Sequence, residues 1–431
     1  MPSAPTNIGG IAYWRSRARR ALRVADTPCF VFAPEPIAVS VEEVDAAFAG
    51  LPVRHWWSCK TLPLPAVLNW WRRQGRPVEV VSERELAAVL ELGFPAGDIL
   101  VNGPAKHRWL PSHPVPGLRV NLDSPLETAA LLPLARRCRW QLGVRINTSG
   151  ELNTEVPGAR TQFGMTAGEL ADATRRIRRA NLEVEVVHFH QRTNVPRAGD
   201  YGAAADEALA MAHALGWRPS VLDVGGGFPP RRVCNHEGAA LDATFSLPAV
   251  RRVVRSILGR ASGVREVWLE NGRRLAAPGA ALAVRVLDVK RGRGIRTLVC
   301  DGGRTLHALV ATWERHALVP LRALPGRRVR TLVYGPTCMA FDNLGVHLLP
   351  AAIRPGDRLL WLDAGAYQLG WETRFSHGLA PVVWIEGDRA EVVRGGEAAA
   401  SAGSLTQRTR SSHSRTHGCR VGPIRGHSPS P

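Results

Sequence analysis

Strand-like and helix-like segments alternate along the chain from about residue 35 to residue 270, and this alternation constrains the fold most strongly. The strand candidates are short runs of β-branched and apolar residues: Val78–Val81, Ile99–Val101, Leu118–Asn121, Leu142–Ile146, Val184–His188, Val221–Val224 and Val267–Glu270. The stretches between them have helical periodicity: Glu83–Glu91, Pro125–Ala135, Ala167–Ala180, Asp206–Leu215 and Pro248–Leu258. Alternation over this length predicts an α/β fold with a parallel sheet, and it favours a closed (β/α)8 TIM barrel over an open sheet.

After residue 270 the strand candidates follow one another closely, with turn signals between them, as is typical of a β domain. They are Val284–Lys290, Thr297–Cys300, Arg328–Tyr334, Arg358–Leu362 and Val382–Ile385, and the strand-like Cys29–Ala33 could join them. The chain of 431 residues exceeds the usual size of one domain. We therefore expect a barrel over residues 35–270 and a mainly β domain over residues 1–34 and 271–394.

The last segment, residues 395–431, is rich in Ser, Arg, Gly, His and Pro and poor in apolar residues. Such a composition cannot bury enough surface to offset the entropy of ordering, so we expect a disordered basic tail. A role of this tail in binding phosphate or RNA stays open. The net charge of +19 comes from arginines scattered through every segment, without a recognised motif. Nucleic acid is therefore not expected as the principal partner.

The cysteines and the hydropathy indicate the compartment. The chain has seven cysteines and no C-x-x-C pair, which argues against a disulfide framework and against structural zinc. No apolar run approaches the roughly 20 residues that span a bilayer, so we expect no membrane helix. We expect a reducing compartment, namely the cytoplasm.

Lysine occurs only three times, as Lys60, Lys106 and Lys290. Lys60 ends the aromatic run Trp56-Trp57-Ser58-Cys59. A lysine in such a position either extends its ammonium group to solvent or is desolvated, which makes its amine nucleophilic. The position alone does not decide between the two.

His188 and His190 close a predicted strand, and the strand period places both on one face. At the carboxyl end of a barrel strand, that face lines the active site. The pair could begin the metal site of a TIM-barrel metallohydrolase, or it could be a satisfied pair in the core. The other strand ends offer glycines, Glu270 and Asn121, so the sequence does not supply the further ligands that a metal would need.

Two further motifs follow strands. Gly225, Gly226 and Gly227 come directly after Val221–Val224, where glycines allow a backbone to approach an anion closely, although a plain tight turn is the alternative. Glu270 closes the next strand, three residues before Arg273. These two could form a local ion pair, or they could make separate contacts to one ligand that carries a protonated ring nitrogen and a phosphate.

Together these motifs, over about residues 27 to 390, resemble the fold-type III pyridoxal-phosphate decarboxylases, the group of ornithine and diaminopimelate decarboxylases. The resemblance includes the segment Glu79–Leu86 and Phe163-Gly164, and it implies an alanine-racemase-like fold with pyridoxal 5′-phosphate as cofactor. It also implies the roles of individual residues: Lys60 as the Schiff-base lysine, His190 against the cofactor ring, Glu270 at the pyridine nitrogen, Thr193, Gly225, Gly226, Gly227, Arg273 and Tyr367 at the phosphate, and Cys338 as a catalytic residue.

This resemblance implies an amino-acid decarboxylase in which Cys338 reprotonates the former α-carbon. A related racemase is the alternative, but alanine racemases place an arginine at the ring nitrogen, so Glu270 favours decarboxylation. The family also implies a homodimer, in which each active site joins the barrel of one chain to the Cys338 loop of the other.

Departures from the family concern the substrate. Met339 follows Cys338 where the ornithine and diaminopimelate groups have an acidic residue, and Leu309 lies near the position where the diaminopimelate group has an arginine. Asp301 and Asp342 are candidates for binding a distal amine, and Arg192 hints at an extra acidic group. We therefore expect a small-molecule substrate, either a specialised amino acid or an amino-acid-derived intermediate.

Overall fold

A computed structural model describes residues 8–150, 160–261, 263–292 and 294–397. Eight parallel strands close into a barrel in the order β2-β3-β4-β5-β6-β7-β8-β10, with β10 pairing with β2. Their bounds are β2 Val53–Ser58, β3 Val78–Val80, β4 Ile99–Val101, β5 Arg119–Leu122, β6 Gln141–Arg145, β7 Val186–His188, β8 Val221–Asp223 and β10 Glu266–Asn271. The TIM barrel predicted from the strand–helix alternation is confirmed.

The helices before, between and after these strands are α2 Pro34–Phe48, α3 Pro65–Arg72, α4 Glu83–Glu91, α5 Pro125–Cys138, α6 Ala167–Arg179, α7 Ala198–Ala214, α8 Leu247–Arg260 and α9 Arg273–Ala276. Helix α7 begins well before the predicted Asp206. Its first turns contain Gly199 and Gly202, which lower the local helix propensity. Packing overrides that preference, since α7 lies against α8 and a Cβ at Gly202 would be 3.4 Å from Val253.

The second domain is mainly β. Its sheet has the order β16-β15-β12-β11-β1-β18-β19, with β17 beside β11 and β14 beside β17. The strands are β1 Cys29–Phe32, β11 Ala280–Arg291, β12 Arg296–Cys300, β14 Leu318–Pro320, β15 Arg328–Tyr334, β16 Asn343–Pro350, β17 Arg358–Trp361, β18 Val382–Glu386 and β19 Arg389–Arg394. The strand predicted at Cys29–Ala33 belongs to this sheet, between β11 and β18.

Smaller elements complete this domain. A two-stranded ladder joins β9 (Cys234–Asn235) to β13 (Glu314–Arg315) and so ties the segment after barrel strand β8 to the second domain. The short helices α10 (Ala308–Thr312) and α11 (Gln368–Trp371) lie in the second domain, and α1 (Ile11–Ala21) packs on its sheet through the buried Trp14. The predicted tail lies outside the described residues from residue 398 onward.

Apolar side chains plug the barrel interior. Trp56, Leu100, Val186, Val221 and Trp268 form one buried cluster, in which the rings of Trp56 and Trp268 lie 4.8 Å apart. Side chains two residues apart on a strand point the same way. The next inward side chains toward the carboxyl ends are therefore polar: Ser58, Asn102, His188, Asp223 and Glu270. This polar layer above an apolar plug is the floor of the site.

Candidate active site

A cavity of about 390 Å³ opens above that floor, and it brings together most of the residues singled out in the sequence. Lys60, His188, His190, Thr193, Gly226, Gly227, Glu270, Arg273 and Tyr367 all line it. They come from the carboxyl ends of different barrel strands and from the loop before α11. Residues far apart in the chain therefore share one site.

Lys60 lies in a short turn directly after β2. Its Nζ atom is 2.7 Å from Oγ of Ser58 and 2.9 Å from Oε2 of Glu79, and Ser58 donates a 2.6 Å hydrogen bond to the same carboxylate. Burial alone would lower the pKa of Lys60, but the negative charge of Glu79 outweighs it and raises the pKa above its ordinary value. An ion pair with the buried Glu79 thus holds the amine of the half-buried Lys60 at the cavity.

An acidic and amide network continues from this ion pair across the floor. Asn102 donates to Glu270, and Nδ2 of Asn121 donates to Oδ1 of Asn102 at 2.9 Å. Burial and the charge of Glu79 raise the pKa of Glu270 to about 7. Burial and the charge of Glu270 raise the pKa of Asp223 well above its ordinary value. Two buried carboxyl groups side by side do not both ionise readily, so this pair retains a proton near neutral pH.

The two histidines of the predicted pair are both neutral. Burial and the charge of Arg145 lower the pKa of His188 well below its ordinary value and that of His190 to about 3. Nδ1 of His190 accepts a 3.2 Å hydrogen bond from the backbone N–H of Gly226, so the ring proton lies on Nε2. This bond fixes the tautomer of His190 at the edge of the cavity.

One group in the described part of the chain has its potential ligand atoms within metal-binding distance of one another, namely His188, Asp223 and Glu270. His190 is not in it. The His188/His190 pair that motivated the metallohydrolase alternative therefore does not converge on one point. Oε1 of Glu270 accepts a hydrogen bond from Asn102 and lies 3.5 Å from Nε2 of His188, whereas Oδ1 of Asp223 accepts a hydrogen bond from the backbone N–H of Gly225.

The three glycines form a loop that no other residue could adopt without displacement. A Cβ at Gly226 would lie 2.3 Å from the carbonyl oxygen of Glu270, and one at Gly227 would lie 2.4 Å from that of Arg192. Gly225 and Gly227 have φ of +68° and +92°. Gly226 and Gly227 line the cavity and present backbone without side chains to it, whereas Gly225 does not line it and donates its N–H to Asp223.

A cation faces the cavity beside this loop. The guanidinium of Arg273 lies 4.6 Å above the ring of Tyr367 and forms an ion pair with Glu314. Together with the Lys60 amine, the Glu270 carboxyl and the glycine loop, this cation fits pyridoxal 5′-phosphate, which has an aldehyde, a ring nitrogen and a phosphate. The donor set therefore agrees with the cofactor that the resemblance implied.

Several predicted residues lie elsewhere in this chain. Cys338 is exposed and does not line the cavity. Asp301 accepts hydrogen bonds from Thr27 and from the backbone of Arg285, and it lines a different pocket. Asp342 is fully buried, and its carboxylate accepts bonds from the backbone N–H groups of Arg304 and Thr337 and from the Thr337 hydroxyl. Asp342 thus supports the loop that carries Cys338.

Three more residues change the sequence-based description. Arg192 lines a neighbouring pocket with Asp200 and Glu207 instead of the cofactor cavity. Asn102 and Arg145 line the cavity but were not singled out from the sequence. Both stand at the carboxyl end of a predicted strand, so the rule that found His188 and Glu270 would also have found them.

The comparison with protein families agrees with this geometry. The sequence profile of the pyridoxal-binding domain of pyridoxal-dependent decarboxylases matches residues 36–277. The chain is 28% identical to a diaminopimelate decarboxylase of Actinosynnema pretiosum over 372 residues, which cover 82% of this chain and 81% of that one. It is 24% identical to a lysine/ornithine decarboxylase of Selenomonas ruminantium over 345 residues, covering 77% and 83% of the two chains.

Solved structures show the same fold. The crystal structure of diaminopimelate decarboxylase from Helicobacter pylori in complex with L-lysine superposes with a TM-score of 0.75, at 19% identity, and covers 89% of this chain and 97% of that one. Among the described residues, none of the helices has the length and hydropathy that a transmembrane segment requires. The family match, the fold and the cavity agree, and the chain belongs to the pyridoxal-dependent decarboxylases as a carboxy-lyase that uses pyridoxal 5′-phosphate.

Proposed function

We propose that Lys60 holds the cofactor covalently and that the enzyme removes the α-carboxylate from an amino acid or an amino-acid-derived intermediate. The observation that carries this proposal is the placement of the three lysines, all of which lie in the described part of the chain. Lys60 lines the cavity, whereas Lys106 is fully buried against Glu127 and Lys290 is exposed beside Asp288. An amine for the cofactor aldehyde is thus available from Lys60.

The other residues that line the cavity are suited to bind different parts of the cofactor. When bound, the cofactor supplies an electron sink for the pair of electrons that the departing carboxylate leaves behind. Glu270 would accept a hydrogen bond from the protonated ring nitrogen, and the neutral His190 would place an uncharged imidazole at the ring. The Gly226–Gly227 backbone, Thr193, Arg273 and Tyr367 would hold the phosphate. Glu79 and Ser58 hold the Lys60 amine at the carboxyl end of β2.

The substrate side chain follows from departures within the family. Met339 follows Cys338 where the ornithine and diaminopimelate groups have an acidic residue, and the arginine that binds the distal carboxylate in the diaminopimelate group has no counterpart near Leu309. We therefore propose a different, specialised substrate. The relatives act on diaminopimelate, lysine and ornithine, as their names state. These amino acids are the natural starting set for an assay.

The cysteines in the described part of the chain are all free thiols, which supports a reducing compartment such as the cytoplasm.

We further propose a homodimer with shared active sites. Cys338 is exposed outside the cavity of its own chain, so a Cys338 that reprotonates the substrate would come from a second copy. Its loop also exposes Phe341, which is 59% accessible. At the cavity side of the second domain, the exposed Trp313 and Trp371 contact each other with ring centroids 5.0 Å apart. Exposed aromatic side chains of this kind are typical of interfaces.

The first experiment maps the cofactor. Purified protein is reduced with borohydride, digested and analysed by peptide mass. We expect the reduced cofactor on Lys60, and Lys60→Ala protein should carry none. Lys290→Ala is the matched control, because that side chain is exposed and does not line the cavity. Reduced cofactor on Lys106 or Lys290 would contradict the proposal.

The second experiment identifies the reaction and substrate. A panel of amino acids, including diaminopimelate, ornithine, lysine and arginine, is incubated with the holoenzyme, and release of carbon dioxide and exchange of the α-proton are measured separately. We expect carbon dioxide from at least one amino acid, with poor turnover of ornithine and meso-diaminopimelate. Fast α-proton exchange without carbon dioxide would indicate a racemase instead.

A further inference from the structure

A buried carboxylate of the second domain stands behind the cation of the cofactor site. Oε1 of Glu314 pairs with Nη1 of Arg273, and Oε2 of Glu314 is 2.8 Å from Nε2 of His316. Nδ1 of His316 is in turn 3.0 Å from the carbonyl oxygen of Leu362. The side chains of Glu314 and His316 are 5% and 2% exposed. The three side chains therefore form one chain of contacts that ends at the cavity.

The fold brings this pair to the barrel from outside it. Glu314 lies in β13, which pairs with β9, and it is opposite Asn235 in that ladder. It also lies beyond residues 36–277, the part of the chain that matches the pyridoxal-binding domain. The barrel supplies Arg273, and the second domain supplies the carboxylate that holds it.

The pair is electrostatically suited to hold a guanidinium. Burial alone would raise the pKa of Glu314, but its hydrogen bond with His316 and the charge of Arg273 outweigh burial and lower the pKa. Glu314 is therefore an anion at neutral pH. It occupies Nη1 of Arg273, while Tyr367 covers one face of the guanidinium. Since a guanidinium has five N–H donors, this arrangement leaves others for a further anion.

We propose that Glu314, held in place by His316, is a positioning residue that fixes Arg273 for binding the phosphate of the cofactor. This inference rests on the proposed function. An arginine side chain has several rotatable bonds, so an anchored guanidinium loses less conformational entropy when it binds an anion. Glu314 itself does not line the cavity, so it acts through Arg273.

The test compares pyridoxal 5′-phosphate with pyridoxal, which lacks the phosphate. Binding of each to the apoenzyme is measured by fluorescence titration. For Glu314→Ala we expect the dissociation constant of pyridoxal phosphate to rise about 10- to 100-fold, as for loss of a hydrogen bond to a charged group, and that of pyridoxal to change by less than about twofold. His316→Ala should shift the same ratio in the same direction by a smaller factor.

Matched variants separate positioning from damage to the fold. His316→Gln keeps an N–H donor toward Glu314 and should restore most of the affinity lost in His316→Ala. Glu266→Gln breaks the ion pair with Arg54, whose Nε–Oε1 distance is 3.0 Å, at the opposite end of the barrel, and should leave both constants unchanged. In an Arg273→Gln background, Glu314→Ala should cause no further loss.

Each possible result of these titrations either supports or refutes the positioning role of Glu314. If Glu314→Ala weakens both ligands equally, or leaves both unchanged, Glu314 does not act through the phosphate and the inference is wrong. If it tightens pyridoxal phosphate binding, Glu314 competes for Arg273, which also refutes the inference. If the wild-type protein itself does not bind pyridoxal phosphate at Lys60, the proposed function fails, and the inference fails with it.

Discussion

Glu79 holds Lys60 through both oxygens of its carboxylate, at 3.0 and 2.9 Å from Nζ, although Glu79 itself is only 1% exposed. A buried carboxylate in such contact stabilises the ammonium form of the lysine. Because the raised pKa favours the ammonium form, we expect the Lys60 amine to be protonated at neutral pH before the cofactor binds. Loading of the cofactor should depend on how readily that proton leaves.

The first prediction concerns Glu79→Gln. The pKa of Lys60 is raised in the wild-type protein, so removing the negative charge should lower it and increase the fraction of neutral amine at any pH below that pKa. We expect the apoenzyme of the variant to react faster with pyridoxal phosphate between about pH 7 and 9, by roughly tenfold for each unit by which the pKa falls. Stopped-flow absorbance measures the rate. Glu83→Gln, an exposed carboxylate beside His113, is the control, and a slower reaction of Glu79→Gln at every pH would contradict this account.

The second prediction concerns the buried ion pair of Lys106 and Glu127. Both side chains are 0% exposed and their charged atoms are 2.6 Å apart. Lys106→Met should lower the free energy of unfolding by about 3–5 kcal/mol, because it leaves a buried carboxylate without its cation. Urea unfolding followed by tryptophan fluorescence measures the loss. Adding Glu127→Gln should recover part of it, and an equal loss in the double variant would show that the cost comes from packing and not from charge.

The third prediction concerns Gly226→Ala. The added Cβ would meet the carbonyl oxygen of Glu270 at 2.3 Å, so either the loop or the end of β10 must move. We expect pyridoxal phosphate affinity to fall by at least about tenfold, as for the loss of an interaction with a charged group. Equilibrium dialysis measures it. Gly259→Ala, on α8 with no atom within 4 Å of the added Cβ, should bind the cofactor normally. Equal cofactor affinity of the two variants would refute the assignment of the glycine loop to the phosphate.

The fourth prediction tests the shared site. Lys60→Ala and Cys338→Ala homodimers should each be nearly inactive. When they are mixed and exchange subunits at random, half of the dimers should contain one intact site of two, so about a quarter of wild-type activity should return. Recovery is measured as carbon dioxide release, and fluorescence transfer between labelled subunits confirms exchange. Proven exchange without recovery would place Lys60 and Cys338 in the same site of one chain.

The pattern of strand and helix candidates in the sequence predicted the barrel and the mainly β second domain. The strands at Ile99–Val101 and Arg328–Tyr334 have the predicted bounds. Ile99–Val101 is a short apolar run that is buried throughout, whereas Arg328–Tyr334 is a half-buried strand in which Thr331 and Val333 are buried. The start of α7 was predicted too late, because packing against α8 outweighed its two glycines. The motif order along the chain also predicted the family, and with it the cavity that contains Lys60, His190, Glu270 and Arg273.

Local sequence alone determined which residues stand at the ends of barrel strands, since side-chain alternation and strand length are properties of a short segment. Only the tertiary structure decided which of them meet. Glu79 reaches Lys60 because β3 pairs with β2, with Glu79 opposite Ser58, and Glu314 reaches Arg273 because the β9–β13 ladder joins the second domain to the barrel. The same folding leaves Cys338 outside its own cavity and buries Asp342 as a support of the Cys338 loop. Contacts of this kind depend on how whole elements pack, and no periodicity within one segment encodes them.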